Sequence, residues 1–398
     1  MVFFYKSNPM KKVNILVSFL LIIGFQACNT SNQKDQVLNQ IEEMRKEVAP
    51  DKRVAIWDLQ YENGTLSGET DQIEALNQIL ASLESQGIEV RDQVMRLPSA
   101  ELGDKTRALV TISVANIRSQ PKHSAELATQ ALLGTPLRVL KKDDSWYLVQ
   151  TPDGYLSWVD QAGIQLMTED ELANWFIQSK VVFTPLSGHV WQDPSQSMMV
   201  SDLVAGNILA VEEVQSEWLE VILPDGRKGW VQASEVMPWE QWIASRETSP
   251  TNLVSTAKSM MGIPYLWGGT SIKGVDCSGF TKTIFYLNGK VIPRDASQQV
   301  NEGLEVDTDK NWNNLEVGDL LFFGEKATEE KKERVVHVGM WIGNNEFIHS
   351  RGRVRISSFD PNSPNYDEYE LNRYLRTKRI INQQSDGVIS VSELLTSK

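Results

Sequence analysis

The chain has 398 residues, of which 41% are hydrophobic, and a formal net charge of −13. This length predicts two to four domains, and an acidic chain with no basic stripe argues against a general role in nucleic-acid binding. Its only cysteines are Cys28 and Cys277, which excludes a disulfide network and a cysteine-rich zinc site.

The N-terminus has the pattern of a targeting segment. Lys11 and Lys12 precede an apolar run, 13–25, that is too short for a stable membrane span and stops just before Cys28. A cysteine in this place resembles the processing site of bacterial lipoproteins, in a loose version. We therefore expect residues 1–28 to be a signal peptide, Cys28 to be lipidated, and the protein to be anchored to a membrane and face the periplasm. Ordinary secretion is the alternative.

Residues 29–107 predict a polar tether followed by a small α+β unit. Apolar residues have helical spacing at 37–48 and 70–86, and strands are predicted at 53–61 and 88–97. This unit contains no set of residues typical of a catalytic site.

An internal repeat with an offset of 72 residues follows, because Gly134, Trp146, Gly154 and Trp158 recur as Gly206, Trp218, Gly226 and Trp230. Each copy has short alternating strands around a Pro-Asp-Gly turn, as small β-barrels do. The pattern resembles bacterial SH3-like barrels and predicts them at 108–165 and 166–237. His123 and His189 fall in their loops, and we expect neither to be catalytic.

The C-terminal part predicts a linker at 238–251, a compact α+β domain at 252–382 and a tail at 383–398. A helix is expected to begin at Cys277, with Asp276 as its N-cap and Gly289 after its end. The helix macrodipole favours the thiolate of a cysteine in that position, which is the nucleophilic form. A small buried cysteine without a chemical role is the alternative.

Thiol catalysis also needs a base and a group that orients the base. His337 and His349 lie on predicted strands joined by a hairpin turn at 343–345, so antiparallel pairing would bring them within several ångströms. His337 can then serve as the base for Cys277, with His349 behind it. Two structural histidines on a sheet are one alternative, and a zinc site with Cys277 is another. We expect no metal and no cofactor, because the three residues lack the close spacing of metal ligands.

A series of motifs in 250–382 occurs in the order seen in NlpC-type cysteine peptidases, which have a papain-like core and cut cell-wall peptides. The motifs are Tyr265-Leu266-Trp267-Gly268-Gly269, Asp276-Cys277-Ser278-Gly279-Phe280, Pro293-Arg294-Asp295, Gly318-Asp319-Leu320-Leu321-Phe322-Phe323, His337-Val338-Gly339-Met340 and Phe347-Ile348-His349-Ser350. The resemblance implies Cys277 as the nucleophile, His337 as the base and His349 as the third polar residue.

The whole layout resembles the γ-D-glutamyl-diamino-acid endopeptidases, the dipeptidyl-peptidase VI group, that recycle murein peptides. The resemblance implies the substrate L-Ala-γ-D-Glu-meso-diaminopimelate, or its L-Lys counterpart, with a free N-terminal amine. Asp295 matches the position that pairs with this amine, and Tyr155 is our choice for the residue of the first barrel that closes that end. The other residues expected to line the site are Tyr265, Trp267, Asp276, Ser278 and Ser297, the last in place of a serine expected at Ala296.

The sequence therefore predicts a monomeric, multidomain cysteine peptidase of the cell envelope. One rival hypothesis is an acyltransferase or thioesterase on the same papain-like core. Another is a non-catalytic peptidoglycan-binding protein in which the barrels bind and Cys277 is idle.

Overall fold

The computed structural model describes residues 33–395, so the predicted signal peptide and Cys28 lie outside the described residues. The chain divides into two compact units between Leu97 and Pro98. Among the residues described, no helix has both the length and the apolar character needed to cross a membrane.

The first unit is a three-stranded sheet with two helices. Its elements are α1 (33–48), β1 (Trp57–Glu62), β2 (Thr65–Thr70), α2 (Ile73–Ser85) and β3 (Arg91–Arg96). β1 and β2 form a hairpin whose turn residues, Asn63 and Gly64, both have positive φ. β3 is parallel to β2, and α2 provides the crossover. Apolar residues of both helices and all three strands share one core.

Two seven-stranded antiparallel sheets open the second unit. The first β-domain (107–167) contains β4 (Arg107–Val110), β5 (Val114–Arg118), β6 (Leu127–Leu132), β7 (Pro136–Asp143), β8 (Trp146–Gln150), β9 (Leu156–Asp160) and β10 (Ile164–Met167). After α3 (Glu169–Phe176), the second β-domain (180–238) contains β11 (Lys180–Phe183), β12 (Ser187–Trp191), β13 (Met199–Val204), β14 (Ile208–Gln215), β15 (Trp218–Ile222), β16 (Lys228–Gln232) and β17 (Val236–Pro238).

The two β-domains share one topology. Their strand orders, β10-β4-β7-β8-β9-β5-β6 and β17-β11-β14-β15-β16-β12-β13, correspond strand for strand. β7 begins at Pro136 and β14 at Ile208, so the strands keep the 72-residue offset of the sequence repeat. Neither described sheet pairs its two edge strands, so each is an open sheet and not the closed barrel predicted from the sequence. The edge strand β6 instead contacts residues 270–271, which lie much later in the chain.

The predicted linker and tail both contribute to a core. Residues 239–244 form a helix, α4 (Trp239–Ala244), because two tryptophans three residues apart lie on one helix face and are buried. Val391 and Leu394 pack in the same cluster as Trp239, Trp242 and residues of both β-domains. This core joins segments that are far apart in the sequence.

The remaining residues form an α+β domain, which we call the catalytic domain. Its elements are α5 (Pro250–Ser259), β18 (Thr270–Ser271), β19 (Gly274–Val275), α6 (Cys277–Leu287), β20 (Lys290–Val291), α7 (Ala296–Gln299), β21 (Leu304–Asp307), β22 (Leu320–Glu325), β23 (Arg334–Gly343), β24 (Glu346–Arg351), β25 (Arg353–Ser358), α8 (Glu368–Asn372), β26 (Tyr374–Arg379) and β27 (Ile389–Ser390). Six strands form an antiparallel sheet in the order β21-β26-β22-β23-β24-β25. α6 packs against β23 and β24, which fixes the helix start beside the two strands that carry His337 and His349.

Candidate active site

Cys277 is the first residue of α6, and Asp276 is its N-cap as the sequence predicts. Asp276 Oδ1 accepts a hydrogen bond from the Gly279 backbone N–H at 2.7 Å, and Oδ2 accepts one from Gly268 at 2.9 Å. The carboxylate therefore ties the glycine-rich loop to the helix start. The helix start and the loop lie so close that position 279 has to be glycine, because a Cβ there would lie 1.9 Å from the carbonyl oxygen of Gly269.

A buried arginine, which lies in one of the sequence motifs without a predicted role, binds the Asp276 carboxylate. Arg294 is 1% exposed, and its Nη2 lies 2.5 Å from Asp276 Oδ2. Its Nη1 donates to Asp276 Oδ1 at 3.1 Å and to Ser278 Oγ at 3.0 Å. Asp276 and Ser278, expected to line the substrate site, thus use their polar atoms within the fold. A charged residue directly after the apolar stretch 291–293 was the available sequence signal.

The electrostatics of the thiol differ from the sequence expectation. Burial raises the pKa of Cys277 to about 12, and the Asp276 carboxylate acts in the same direction. The backbone N–H of Val338, the Arg294 guanidinium and the backbone N–H of Ser278 oppose this rise without reversing it. The predicted bias toward thiolate is therefore wrong, because burial and the capping carboxylate outweigh the helix N-terminus.

His337 and His349 meet across the β23–β24 hairpin. Met340 pairs with Ile348, so His349 lies opposite Gly339, diagonal to His337 on the same sheet face. His337 Nε2 and His349 Nδ1 are 2.7 Å apart. A Cβ at position 339 would lie 2.9 Å from the Phe347 ring and 3.2 Å from the His349 Cβ. A glycine there leaves room for the two rings to meet.

Both rings are buried, and burial is the main cause of their perturbed pKa values. It lowers the pKa of His337 well below the usual value, and the neighbouring His349 adds to this effect. It lowers the pKa of His349 to about 3, with contributions from Arg355 and Arg351. Both histidines are consequently neutral at pH 7.

The nucleophile and base candidates are adjacent. The backbone N–H of Val338, the residue that follows His337, lowers the pKa of the Cys277 thiol, and α6 packs against β23. Cys277 and Val338 also belong to one core cluster. The structure therefore brings the start of α6 against the part of β23 that carries His337.

Further polar side chains, absent from the sequence prediction, lie behind the histidines. His349 Nε2 is 3.0 Å from Ser357 Oγ, which is 3.0 Å from Asp367 Oδ2. The buried Glu370 places Oε1 4.0 Å from His337 Nε2. Ser357 and Asp367 flank a stretch rich in proline, asparagine and serine, and Glu370 follows it, so no motif linked these three residues to the site.

His337, His349 and Glu370 hold potential metal-ligating atoms within 4.8 Å of one another. Two nitrogens bound to one tetrahedral zinc at 2.0–2.1 Å would lie about 3.3 Å apart. The facing ring nitrogens are 2.7 Å apart, a distance that suits a shared proton better than a shared ion. The third member is Glu370, whereas the metal hypothesis from the sequence used Cys277.

The first β-domain reaches the same region. The Tyr155 hydroxyl donates to Asp295 Oδ2 at 3.2 Å. The indole N–H of Trp267, a side chain that is 62% exposed, donates to Glu126 Oε1 at 2.5 Å. Asp295 is the N-cap of α7 and follows Arg294 directly. Asp295, the partner of Tyr155, is thus the chain neighbour of Arg294, which binds the Asp276 carboxylate next to Cys277.

Two predicted site residues, Tyr265 and Ser297, have other surroundings. Tyr265 is half-buried, and burial together with the nearby Cys277 raises its pKa. Ser297 is exposed while Ala296 is buried, so the two positions face different environments. His123 and His189 pack against Trp146 and Trp191 within the β-domains.

Comparisons with known proteins match the first β-domain and the catalytic domain. The NlpC/P60 family matches residues 262–376, and the bacterial dipeptidyl-peptidase Sh3 domain matches 117–164. A γ-D-glutamyl-L-lysine dipeptidyl-peptidase from Bacillus cereus is 34% identical over 63% of this chain and 76% of its own length. Dipeptidyl-peptidase 6 from Lysinibacillus sphaericus is 28% identical over 65% of this chain and 94% of its own. The crystal structure of an NlpC/P60 family protein from Bacillus cereus aligns with a TM-score of 0.59 and 26% identity over 69% of this chain and 99% of that chain.

Proposed function

The chain belongs to the NlpC/P60 family and is a peptide-bond hydrolase, and we propose that it cuts murein peptides with a free N-terminal L-Ala between γ-D-Glu and a diamino acid. The observation that carries the substrate proposal is the hydrogen bond between Tyr155 and Asp295. The Asp295 carboxylate lies at a contact between the first β-domain and the catalytic domain. A carboxylate in a partly buried position is a good partner for an ammonium group, because a buried charge is costly without a partner.

The same geometry supports selection against blocked peptides. The phenol of Tyr155 stands against the carboxylate that would receive the amine, so an acetyl group or a glycan-linked stem would meet the first β-domain. The names of two relatives, a γ-D-glutamyl-L-lysine dipeptidyl-peptidase and a dipeptidyl-peptidase 6, support the bond and the length of the released product. The diamino acid is meso-diaminopimelate or L-Lys.

The mechanism starts from a neutral thiol and a neutral imidazole. His337 takes the proton of Cys277 as the sulfur attacks the γ-carbonyl carbon of D-Glu, and backbone N–H groups at the start of α6 stabilise the oxyanion. The imidazolium then protonates the leaving amine of the diamino acid, and a thioester remains. His337 next accepts a proton from water, which hydrolyses the thioester and releases L-Ala-γ-D-Glu.

The test uses the protein without residues 1–28 and its Cys277→Ala variant. Each is incubated with L-Ala-γ-D-Glu-meso-diaminopimelate and with the L-Lys peptide, free or N-acetylated, and the products are identified by mass spectrometry. We expect release of L-Ala-γ-D-Glu from the free peptides alone, and none from the variant. Equal cleavage of both forms would overturn amine selection. A protein that is alkylated at Cys277 but cuts neither form would contradict the substrate proposal and favour the transferase or binding alternatives.

We also propose that the peptidase is a monomer held at the cell envelope by a lipid on Cys28. The position of Cys28 directly after an apolar run supports this. Radioactive palmitate should label the full-length chain in a bacterial host and should not label its Cys28→Ala variant. Labelling of neither chain would leave ordinary secretion as the route.

A further inference from the structure

A row of four buried side chains runs from His337 away from Cys277. The row is His337, His349, Ser357 and Asp367, joined by contacts of 2.7, 3.0 and 3.0 Å. All four side chains are buried. Each contact joins two side chains of the row, so the hydrogens are assigned among the side chains themselves.

The acceptor at the end of the row fixes that distribution. Asp367 accepts hydrogen bonds from Arg355 at 2.9 Å and from the Glu370 backbone N–H at 3.1 Å, as an ionised carboxylate does. A carboxylate has no hydrogen to give, so the Ser357 hydroxyl must donate to it. The Ser357 oxygen is then the acceptor for His349 Nε2–H.

The same argument assigns the ring hydrogens of His349 and His337. A neutral imidazole has one N–H, so His349 with hydrogen on Nε2 has a bare Nδ1. That Nδ1 faces His337 Nε2 at 2.7 Å and must accept from it. His337 therefore carries its hydrogen on Nε2, which leaves Nδ1 with the free lone pair that a base requires.

We propose that Ser357 and Asp367 are positioning residues that set the tautomer of His349 and, through it, the tautomer of His337. Neither touches substrate in this arrangement. The inference rests on the proposed function only in giving His337 the role of base. The order of hydrogens in the row is a property of the folded protein alone.

A competing donor makes this order conditional on Ser357. Arg355 Nε–H points at the same His349 Nε2 over 3.4 Å, a longer contact than the 3.0 Å to Ser357 Oγ, and an arginine can only donate. Without the Ser357 hydroxyl, His349 Nε2 would become the acceptor for Arg355, and the ring hydrogen would move to Nδ1. His349 would then donate to His337 Nε2, and His337 would hold its hydrogen on Nδ1, where the free lone pair is needed.

The test reads tautomers directly, by ¹⁵N NMR of histidine-labelled protein without residues 1–28, at pH 7.5 and without substrate. We expect His337 and His349 of the wild type to carry hydrogen on Nε2, and both rings of Ser357→Ala to carry it on Nδ1. In the same variant, kcat for the free peptide should fall about 100-fold with KM nearly unchanged. Ser357→Thr, which keeps the hydroxyl on a strand, should restore both tautomers and kcat.

Two further variants act as controls. Ser350→Ala removes another buried hydroxyl, next to His349, that donates to the Val275 carbonyl oxygen at 2.8 Å, and it should leave both tautomers as they are. Arg355→Met should also leave them unchanged while Ser357 is present. Combined with Ser357→Ala, it should remove the drive toward the wrong tautomer and recover part of kcat.

A wild type with hydrogen on His337 Nδ1, or a Ser357→Ala variant with unchanged rings, would overturn the inference. If Ser357→Ala does not fold, the wild type still decides by its own tautomers and Ser357→Thr by its kcat. If the wild-type tautomers are as stated but no murein peptide is cut, the proposed function fails and the hydrogen order stands.

Discussion

The two β-domains have the same strand order, but equivalent turns make different contacts. In the first, Asp153 of the Pro-Asp-Gly turn forms an ion pair with Lys282 on α6, and Tyr155 donates to Asp295. In the second, the residues 72 positions later are Asp225 and Arg227, which pair with each other at 2.7 Å. The turn of the first β-domain is thus attached to the catalytic helix, whereas Arg227 in the second donates to the Thr111 carbonyl oxygen of the first β-domain at 2.7 Å.

The strand order of the two β-domains and the contacts that they make therefore depend on different residues. Alternating apolar residues give both copies the same sheet, whichever domain packs beside them. Two side chains in one region of the first copy, Asp153 and Tyr155, contact α6 and Asp295. The following predictions test this difference, from the largest expected effect to the smallest.

Removing the charge of Asp153 should be the most damaging change. The side chains of Lys282 and Asp153 are 15% and 2% exposed, so Asp153→Ala leaves an ammonium buried without its partner. We expect a loss of about 3–5 kcal/mol in the free energy of unfolding, measured by urea denaturation. The matched Asp225→Ala variant breaks a pair whose side chains are 39% and 26% exposed, and it should cost at most about 1 kcal/mol. Equal losses would contradict the distinction between the two turns.

Acid should weaken the catalytic domain before it weakens either β-domain. The pKa of His349 is about 3 in the folded protein and near 6.5 when unfolded, so only the unfolded chain gains a proton between these values. Stability is complete above pH 6.5 and falls as pH drops toward 3, by about 2 kcal/mol at pH 5. Urea denaturation at pH 7 and pH 5 should show this loss in the wild type and in His189→Gln, whose histidine lies in the second β-domain. His349→Gln should show a smaller loss; a full loss in that variant would place the acid-sensitive group elsewhere.

Tyr155→Phe should weaken recognition of the free amine without changing the chemistry. It removes the hydrogen bond to Asp295, worth about 1 kcal/mol, so KM for the free peptide should rise about 5-fold at constant kcat. Steady-state kinetics with free and N-acetylated peptide would measure this. Arg227→Gln, at the equivalent position of the second β-domain, should leave both constants as in the wild type. A matching rise in that variant would mean that the second copy also borders the site.

The smallest effect is expected at the outer contact between the two domains. Glu126 accepts from the exposed Trp267, and the equivalent residue of the second β-domain is the exposed Met198. Glu126→Met makes the first copy resemble the second at this place. Because exposed contacts contribute little, kcat/KM for the free peptide should change less than about 2-fold. A large loss would show that Glu126 contributes to substrate binding directly.

Short-range patterns in the sequence predicted the parts of the site that depend on local structure. The Asp276 cap follows from a polar residue before an apolar run, and the meeting of His337 with His349 follows from a hairpin turn at Asn344 and Asn345, both with positive φ. The 72-residue offset of the repeat survives in the strand positions because strand length and turn spacing are set locally.

Long-range packing decided the rest. Arg294 takes its partner, Asp276, from 18 residues away, and Ser357 reaches His349 because β25 pairs with β24. The thiolate expectation failed since burial of Cys277 depends on the whole sheet beneath α6. The stretch after position 358 is rich in proline, asparagine and serine, which is typical of a loop, and the strand before it, which carries Ser357, was not predicted.

The core shared by α3, α4 and residues 389–395 bears on how the protein is made. Leu172, Trp242 and Val391 meet there, so this core stays open until the ribosome has added residues that follow the whole catalytic sheet. A nascent chain could contain Cys277, His337 and His349 and still lack the packing that holds the first β-domain against them. A chain that ends before residue 391 therefore contains all three candidate catalytic residues and still lacks part of the core that joins α3 and α4.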